Sequence, residues 1–411
     1  MEYKHHRYVP DGSVTTPKGF VAAAVAAGIK QSGKPDLVLV ASERDCAAAG
    51  VFTRNQVAAA PVQVDRETLS GGVAIIRGVV INAGNANACT GEPGLADARD
   101  MCRLAAEATG AQFGQFLVMS TGVIGQPLPM EKVRAGISAA AAALSTEGGP
   151  AAAEAIMTTD TRPKRAAVAI DLPGGRVTIG GMAKGAGMIH PDMATLLGLL
   201  TTDAAIPAAD LAPLLRRAAD ASFNAISIDG DTSTNDTVLV LANGASGVTV
   251  ADDESRARFA AALEDLCVRL AQMIVRDGEG VTKFVTIRVT GAATADDARR
   301  VANTVATSPL VKTAFAGGDP NWGRIMMATG RSGATVDQRC LALWIATPDA
   351  APLQLVRDGT PTGYAEADAA AIFAAPEFTV HVDLALGHGV ATLWTADLTH
   401  DYVTINADYR T

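Results

Sequence analysis

Residues 180–203 read GGMAKGAGMIHPDMATLLGLLTTD. Lys184 lies in a glycine-rich loop with Gly185 and Gly187, and Pro191 stiffens the approach to Met193 and Ala194. Thr195 then opens an apolar run, Leu196-Leu197-Gly198-Leu199-Leu200, which suits either a helix or a strand. Each part has a plain reading when taken alone. A lysine between glycines is a solvated loop or an anion nest, and a threonine ahead of leucines caps a helix. His190, just before Pro191, reads as a core or solvated histidine rather than a proton carrier.

Outward from this stretch, strand and helix signals alternate without a clean βαβ rhythm. Residues 166–172 and 177–182 read as a hairpin about Pro173-Gly174-Gly175. Upstream, 36–42 and 72–82 read as strands by their β-branched, fully apolar character, and 116–120 as a short strand entering a turn at Thr121-Gly122. Residues 95–109 and 129–144 read as helices. Downstream, helices are expected at 207–222, 255–276 and 295–306, and strands at 237–243, 284–290, 340–346, 378–385 and 391–397. The pattern points to a mixed α/β (α+β) fold, with a doubly wound parallel sheet less favoured.

Composition narrows the classes. The chain has 411 residues, 48% apolar and 19% charged, enough for a large core and for more than one domain. Aromatics are only 4% while glycines number 40, so small side chains and close backbone approach must do much of the packing. A net charge of -9 with no Lys/Arg run argues against nucleic-acid binding. The cysteines Cys46, Cys89, Cys102, Cys267 and Cys340 show no CxxC spacing, and the histidines no HxxxH spacing, so free thiols in a reducing compartment are expected and a zinc site is not. The run FVAAAVAAGI at 20–29 follows polar MEYKHHRYVPDGS too late for a signal peptide and reads as a packed segment. No stretch approaches the roughly 18 unbroken apolar residues of a membrane span.

The stretch at 180–203 resembles the self-cleavage segment of the ornithine acetyltransferase family, also called the arginine-biosynthesis bifunctional family (glutamate N-acetyltransferases). Further blocks match that family in order: Thr16-Pro17-Lys18-Gly19-Phe20, Asn85-Ala86-Asn87-Ala88-Cys89-Thr90-Gly91, Ser120-Thr121-Gly122-Val123-Ile124-Gly125 and Met157-Thr158-Thr159-Asp160-Thr161. After them come Asp229-Gly230-Asp231-Thr232-Ser233-Thr234-Asn235-Asp236-Thr237, Asp277-Gly278-Glu279-Gly280-Val281-Thr282-Lys283, Gly318-Asp319-Pro320-Asn321-Trp322-Gly323-Arg324 and the segment 402–411. The resemblance spans essentially the whole chain.

The resemblance implies that the chain cuts itself between Ala194 and Thr195 and then uses Thr195 as an N-terminal nucleophile. It implies oxyanion donors at Thr121 and Gly122, and substrate contacts at Thr158, Lys184, Thr195, Glu279, Asn406 and Thr411. The reaction it implies is ping-pong acetyl transfer from N-acetylornithine to glutamate in arginine biosynthesis, with acetyl-CoA a donor for some members. It further implies a self-processing α/β fold: a catalytic unit over 1–283 shared by the segments before and after Thr195, a smaller C-terminal α/β domain over 284–400, and a tail, 401–411, returning to the active site. An α2β2 heterotetramer of the cut chains, a cytoplasmic location, and no metal or bound cofactor complete the expectation. Two other classes compete. A self-cleaving N-terminal-nucleophile amidohydrolase or aminopeptidase would pass the acyl group to water, and a nucleotide-binding enzyme is suggested weakly by Gly84-Asn85-Ala86-Asn87, where no GxGxxG opens a helix.

Overall fold

The computed structural model of the chain describes residues 6–70, 75–190 and 196–408. Its larger sheet is nine-stranded. In spatial order it runs His6–Tyr8, Lys164–Leu172, Gly175–Lys184, Leu197–Thr202, Thr237–Ala242, Leu37–Phe52, Ile75–Asn85 and Phe116–Val123, with Phe20–Val25 paired onto Leu37–Phe52. Most pairs are antiparallel. Leu197–Thr202 with Thr237–Ala242, and Ile75–Asn85 with Phe116–Val123, are parallel. The sheet is therefore mixed, as the absence of a βαβ rhythm predicts.

The 16-residue strand Leu37–Phe52 is the corner of this sheet. Its first half pairs with Phe20–Val25 and Ile75–Asn85, its second with Thr237–Ala242, and the register slips between Ala41 and Cys46. Glu43, Arg44 and Asp45 occupy the slip and are exposed. These charges made only residues 36–42 legible as a strand, since a β-bulge admits solvated residues that a periodicity count reads as an end. The bend lets the halves of the sheet face each other. Leu197, Leu199, Leu239 and Leu241 pack against Val38, Val40, Val79, Ile81, Leu117 and Met119 in the space between them. The alternate residues point outward. Leu196, Leu200, Val238 and Val240 meet helices Ala208–Ala221 and Asp253–Arg276, and Leu37, Leu39, Val80, Phe116 and Val118 meet helices Gly91–Thr109 and Met130–Ala142. Helix, sheet, sheet and helix are thus stacked in layers, and strands buried on both faces are apolar throughout rather than alternating.

The smaller sheet is seven-stranded, in the order Thr360–Pro361, Leu353–Arg357, Ala342–Ala346, Glu377–Asp383, Phe284–Ala292, Gly389–Ala396 and Ile226–Ser227. Glu377–Asp383 and Ala342–Ala346 alternate buried with half-buried residues, as strands covered on one face do. Val285, Ile287, Val380 and Val382 pack beneath helices Ala295–Ala306, Pro309–Gly317 and Trp322–Gly330. Ile226–Ser227, contributed from well upstream, ties this sheet to the first part of the chain.

The undecided run after Thr195 is the strand Leu197–Thr202, every residue of it buried, which excludes the helix-cap reading of that threonine. The run at 20–29, expected to be a packed segment, begins with the strand Phe20–Val25, whose residues are buried or half-buried. The expected tail at 401–411 begins as helix His400–Asp408. Among the described residues, no helix is long and apolar enough to cross a membrane.

Candidate active site

Three neighbouring strands end at one level of the larger sheet. Lys184 pairs with Leu197, and Leu197 with Thr237. Beyond this row lies a cavity of about 360 Å³ whose wall includes Thr121, Gly122, Thr158, Lys184, Glu279 and Asn406, together with Asp229, Asp231, the segment 232–235 and Tyr402. Residues named from sequence and separated by up to a few hundred positions thus meet at one opening. Thr195, Ala194 and Thr411 lie outside the described residues. Leu196, next after Thr195, is buried beside the Lys184–Thr237 row.

Thr121 and Gly122 end the Phe116–Val123 strand and are braced by the asparagine block. The Ser120 hydroxyl donates to Asn82 Oδ1 at 2.6 Å, Asn82 donates to the Asn85 carbonyl at 2.8 Å, and Asn85 Oδ1 accepts from the Asn87 N–H at 2.8 Å. Asn235 ties the opposite wall to the same strand end, donating to the Ser120 and Ala86 carbonyls at 2.9 and 2.6 Å. Gly122 has φ +134°, and a Cβ there would lie 2.3 Å from the Gly84 carbonyl carbon. Only glycine allows that approach. The Gly84–Asn87 stretch is therefore a brace for a turn, and nothing in its geometry favours the nucleotide-binding alternative.

Lys184 is buried, with its ammonium 3.4 Å from Thr121 Oγ1, to which it donates, and 3.9 Å from Asp160 Oδ2. Burial pulls its pKa down, and Asp160 opposes the shift. An ammonium donating to the Thr121 oxygen leaves the Thr121 proton free to point into the cavity. Behind Lys184 sits a second buried lysine. Lys164 donates to Asp160 Oδ1 and Asp277 Oδ2, each at 2.5 Å, and to the Gly185 carbonyl at 3.2 Å. Asp160 also accepts from the Thr158 and Gly185 N–H groups at 3.0 and 2.8 Å. Burial alone would raise the Asp160 pKa, but the ammonium groups of Lys184 and Lys164 outweigh it and hold it at about 2.

The opposite side of the cavity is acidic. Glu279 accepts from Asn406 Nδ2 at 2.8 Å, so helix His400–Asp408 is fastened over the opening. Gly187 packs so closely on Glu279 that a Cβ would lie 2.3 Å from its Oε2. Asp229 accepts from the Met188 and Ile189 N–H groups at 2.5 and 2.9 Å and from the Tyr402 hydroxyl at 3.2 Å. It joins the glycine loop to the C-terminal helix. Burial raises the pKa of Asp229, against the pull of those backbone donors. His190 Nδ1 is 3.3 Å from Ser227 Oγ.

Asp236 is a further carboxylate, at the head of the strand Thr237–Ala242. It is fully buried, and its Oδ1 accepts from the Leu196 N–H at 2.9 Å. Among the described residues its Oδ2 has no hydrogen-bond partner, and a buried acceptor left so costs ~1–3 kcal/mol. Burial pushes its pKa well above the usual carboxylate range, opposed by the Leu196 bond and by Lys184.

Sequence reasoning passed over Asp160, Lys164, Asp229, Asp236 and Tyr402. The signal lay in the quoted blocks: Asp160 follows Thr158 by two positions, and Asp229 and Asp236 bracket a block to which no role was given. Conversely, the Gly318–Arg324 block forms a corner between helices. Gly318 adopts φ +65° after one, and Asn321 caps the next by accepting from the Arg324 N–H at 3.3 Å.

The ArgJ family profile matches residues 21–411. The arginine biosynthesis bifunctional protein ArgJ of Symbiobacterium thermophilum is 54% identical over 405 residues, covering 97% of this chain and 99% of that protein. The protein of the same name from Geobacter sulfurreducens is 50% identical over 402 residues, covering 96% of this chain and 99% of its own length. A solved structure of ornithine acetyltransferase complexed with ornithine from Mycobacterium tuberculosis is 45% identical over 46% of this chain and 99% of that one, with a TM-score of 0.42. With a profile match over nearly the whole sequence and half of all positions shared with relatives from end to end, the chain belongs to the ArgJ family.

Proposed function

We infer that this chain is an ornithine acetyltransferase of arginine biosynthesis: it takes an acetyl group from N-acetylornithine onto the Thr195 hydroxyl and passes it to glutamate. A threonine hydroxyl is a weak nucleophile. Opening the Ala194–Thr195 bond gives Thr195 a free α-amine, whose ordinary pKa of about 7.7–8.0 makes it a general base near neutral pH. The amine draws the hydroxyl proton as the oxygen attacks the acetyl carbonyl, and the tetrahedral oxyanion is met by the Thr121 hydroxyl and the Gly122 N–H. Losing one such donor costs ~10²–10³ in rate, roughly 2.7–4 kcal/mol. Lys184 suits the α-carboxylate of either amino acid. Glu279 suits the ornithine ammonium, with Thr158, Asn406 and the Thr411 terminus as further contacts. The names of the relatives describe a bifunctional protein, and acetyl-CoA is the second donor we assign. We also assign an α2β2 assembly of the cut chains in the cytosol.

The observation that supports this most is the meeting, in one cavity, of the Thr121–Gly122 pair, a buried ammonium (Lys184) and a carboxylate (Glu279), with the residue that follows Thr195 buried beside the strand that ends at Lys184. That is a site for a zwitterion carrying an acyl group. Intact-mass spectrometry tests it. Purified protein should show fragments 1–194 and 195–411, Thr195→Ala a single uncut chain, and N-acetylornithine without glutamate an acetyl adduct on the Thr195 peptide. Ornithine release that proceeds at full rate without glutamate would make the protein a hydrolase instead.

A further inference from the structure

The block that begins at Asp229 supplies Asp229 and residues 231–235 to the cavity wall. Its first two carboxylates are bonded in different ways. Asp229 is saturated: the Met188 N–H and the Tyr402 hydroxyl donate to Oδ2 at 2.5 and 3.2 Å, and the Ile189 and Asp231 N–H groups to Oδ1 at 2.9 and 3.3 Å. Asp231 gives its backbone N–H to Asp229, but its own carboxylate receives no hydrogen bond and enters no ion pair among the described residues. It is exposed and lines the cavity, so it stands at the rim. Its charge is felt there: burial raises the pKa of Asp229 and of Tyr402, and the negative charge of Asp231 adds to both shifts.

Among the described lining residues, three carboxylates (Asp229, Asp231 and Glu279) thus meet one ammonium, that of Lys184. Lys184 suits the α-carboxylate that both substrates share, and Glu279 is already held by Asn406 at 2.8 Å. N-acetylornithine brings a side-chain ammonium and glutamate a side-chain carboxylate. A free anion at the rim acts on the two with opposite signs.

We propose that Asp231 is a specificity-determining residue: its unpaired carboxylate attracts the side-chain ammonium of N-acetylornithine and repels the side-chain carboxylate of glutamate, so the cavity takes N-acetylornithine as acyl donor in preference to N-acetylglutamate. This rests on the acetyl-transfer reading above and deepens it. An amino acid and its N-acetyl form carry the same side-chain charge, so each pair is favoured or opposed together. Because the carboxylate is exposed, the effect is modest and is screened by salt.

Asp231→Asn keeps the shape of the side chain and the backbone N–H bonded to Asp229, and removes the charge. In the purified variant, kcat/KM for N-acetylornithine should fall ~3–5-fold while that for glutamate rises ~2–5-fold, and Asp231→Glu, which retains the charge, should hold both near wild type. Both constants falling together, or neither moving, would make Asp231 a turn residue only and overturn the proposal. Should the variant be inactive, wild type decides. Raising the salt from about 0.05 to about 0.5 M should lower the ratio of kcat/KM for N-acetylornithine to that for N-acetylglutamate, since the attraction of Lys184 for the shared carboxylate cancels in the ratio. An unmoved ratio overturns this proposal alone. Wild type that moves no acetyl group between N-acetylornithine and glutamate overturns the acetyl-transfer reading and this proposal together.

Discussion

Lys164 and Lys184 lie at the same end of adjacent antiparallel strands, both buried, and are bonded in opposite ways. Lys164 spends its ammonium on Asp160, Asp277 and the Gly185 carbonyl, at 2.5, 2.5 and 3.2 Å. Lys184 has the Thr121 hydroxyl at 3.4 Å and the Asp160 carboxylate no nearer than 3.9 Å. Burial does not distinguish the two ammonium groups. Unspent donors do, because a desolvated ammonium short of partners gains most from an anion brought in by substrate.

That difference can be broken by substitution. Lys164→Met leaves Asp160 and Asp277 buried without their cation, and should cost about 3–5 kcal/mol of stability, read as a lower urea midpoint at unchanged slope. Lys184→Met removes a buried charge with one long hydrogen bond and leaves Asp160 bonded to Lys164, so its stability loss should be the smaller of the two. Its kcat/KM for N-acetylornithine should instead drop ~10²-fold or more, by the loss of a charge-assisted contact. Equal stability losses in the pair would erase the distinction. The smallest effect lies in acid. Asp160 is held at about 2 in the folded chain, so its contribution is fully present above its unfolded value and is lost as pH falls through about 2. Roughly 2 kcal/mol should disappear across that window, and Asp160→Asn should flatten the dependence.

Much of the fold is legible in the sequence where a segment is buried in a simple way. The helix expected at 295–306 has the same bounds in the structure, since its apolar positions recur at helical spacing and Thr294 caps it, accepting from the Asp297 N–H at 3.0 Å. The hairpin at 164–184 is equally plain, because its turn carries Pro173-Gly174-Gly175. Other segments were hidden for physical reasons. Helix Ala60–Ser70 has its apolar face interrupted by a buried Asp65. Helix His400–Asp408 buries no residue completely and is held by polar contacts such as Asn406 to Glu279, which no hydrophobic period records. The cavity wall was nameable only through the family resemblance. Nothing local in Thr121-Gly122 or Thr158 marks them as neighbours of Lys184, because the bend in Leu37–Phe52 that brings the sheet halves together is written in a bulge.

The placement of Leu197–Thr202 has a further consequence. It is hydrogen-bonded on one side to Gly175–Lys184, from before the proposed cut, and on the other to Thr237–Ala242, from after it. Opening the backbone just ahead of this strand leaves the pieces zipped together in the sheet interior, so the native assembly persists. Once melted, however, the pieces are separate molecules. Recovery from denaturant then becomes a second-order encounter whose yield depends on concentration, whereas an intact precursor refolds at a rate independent of it.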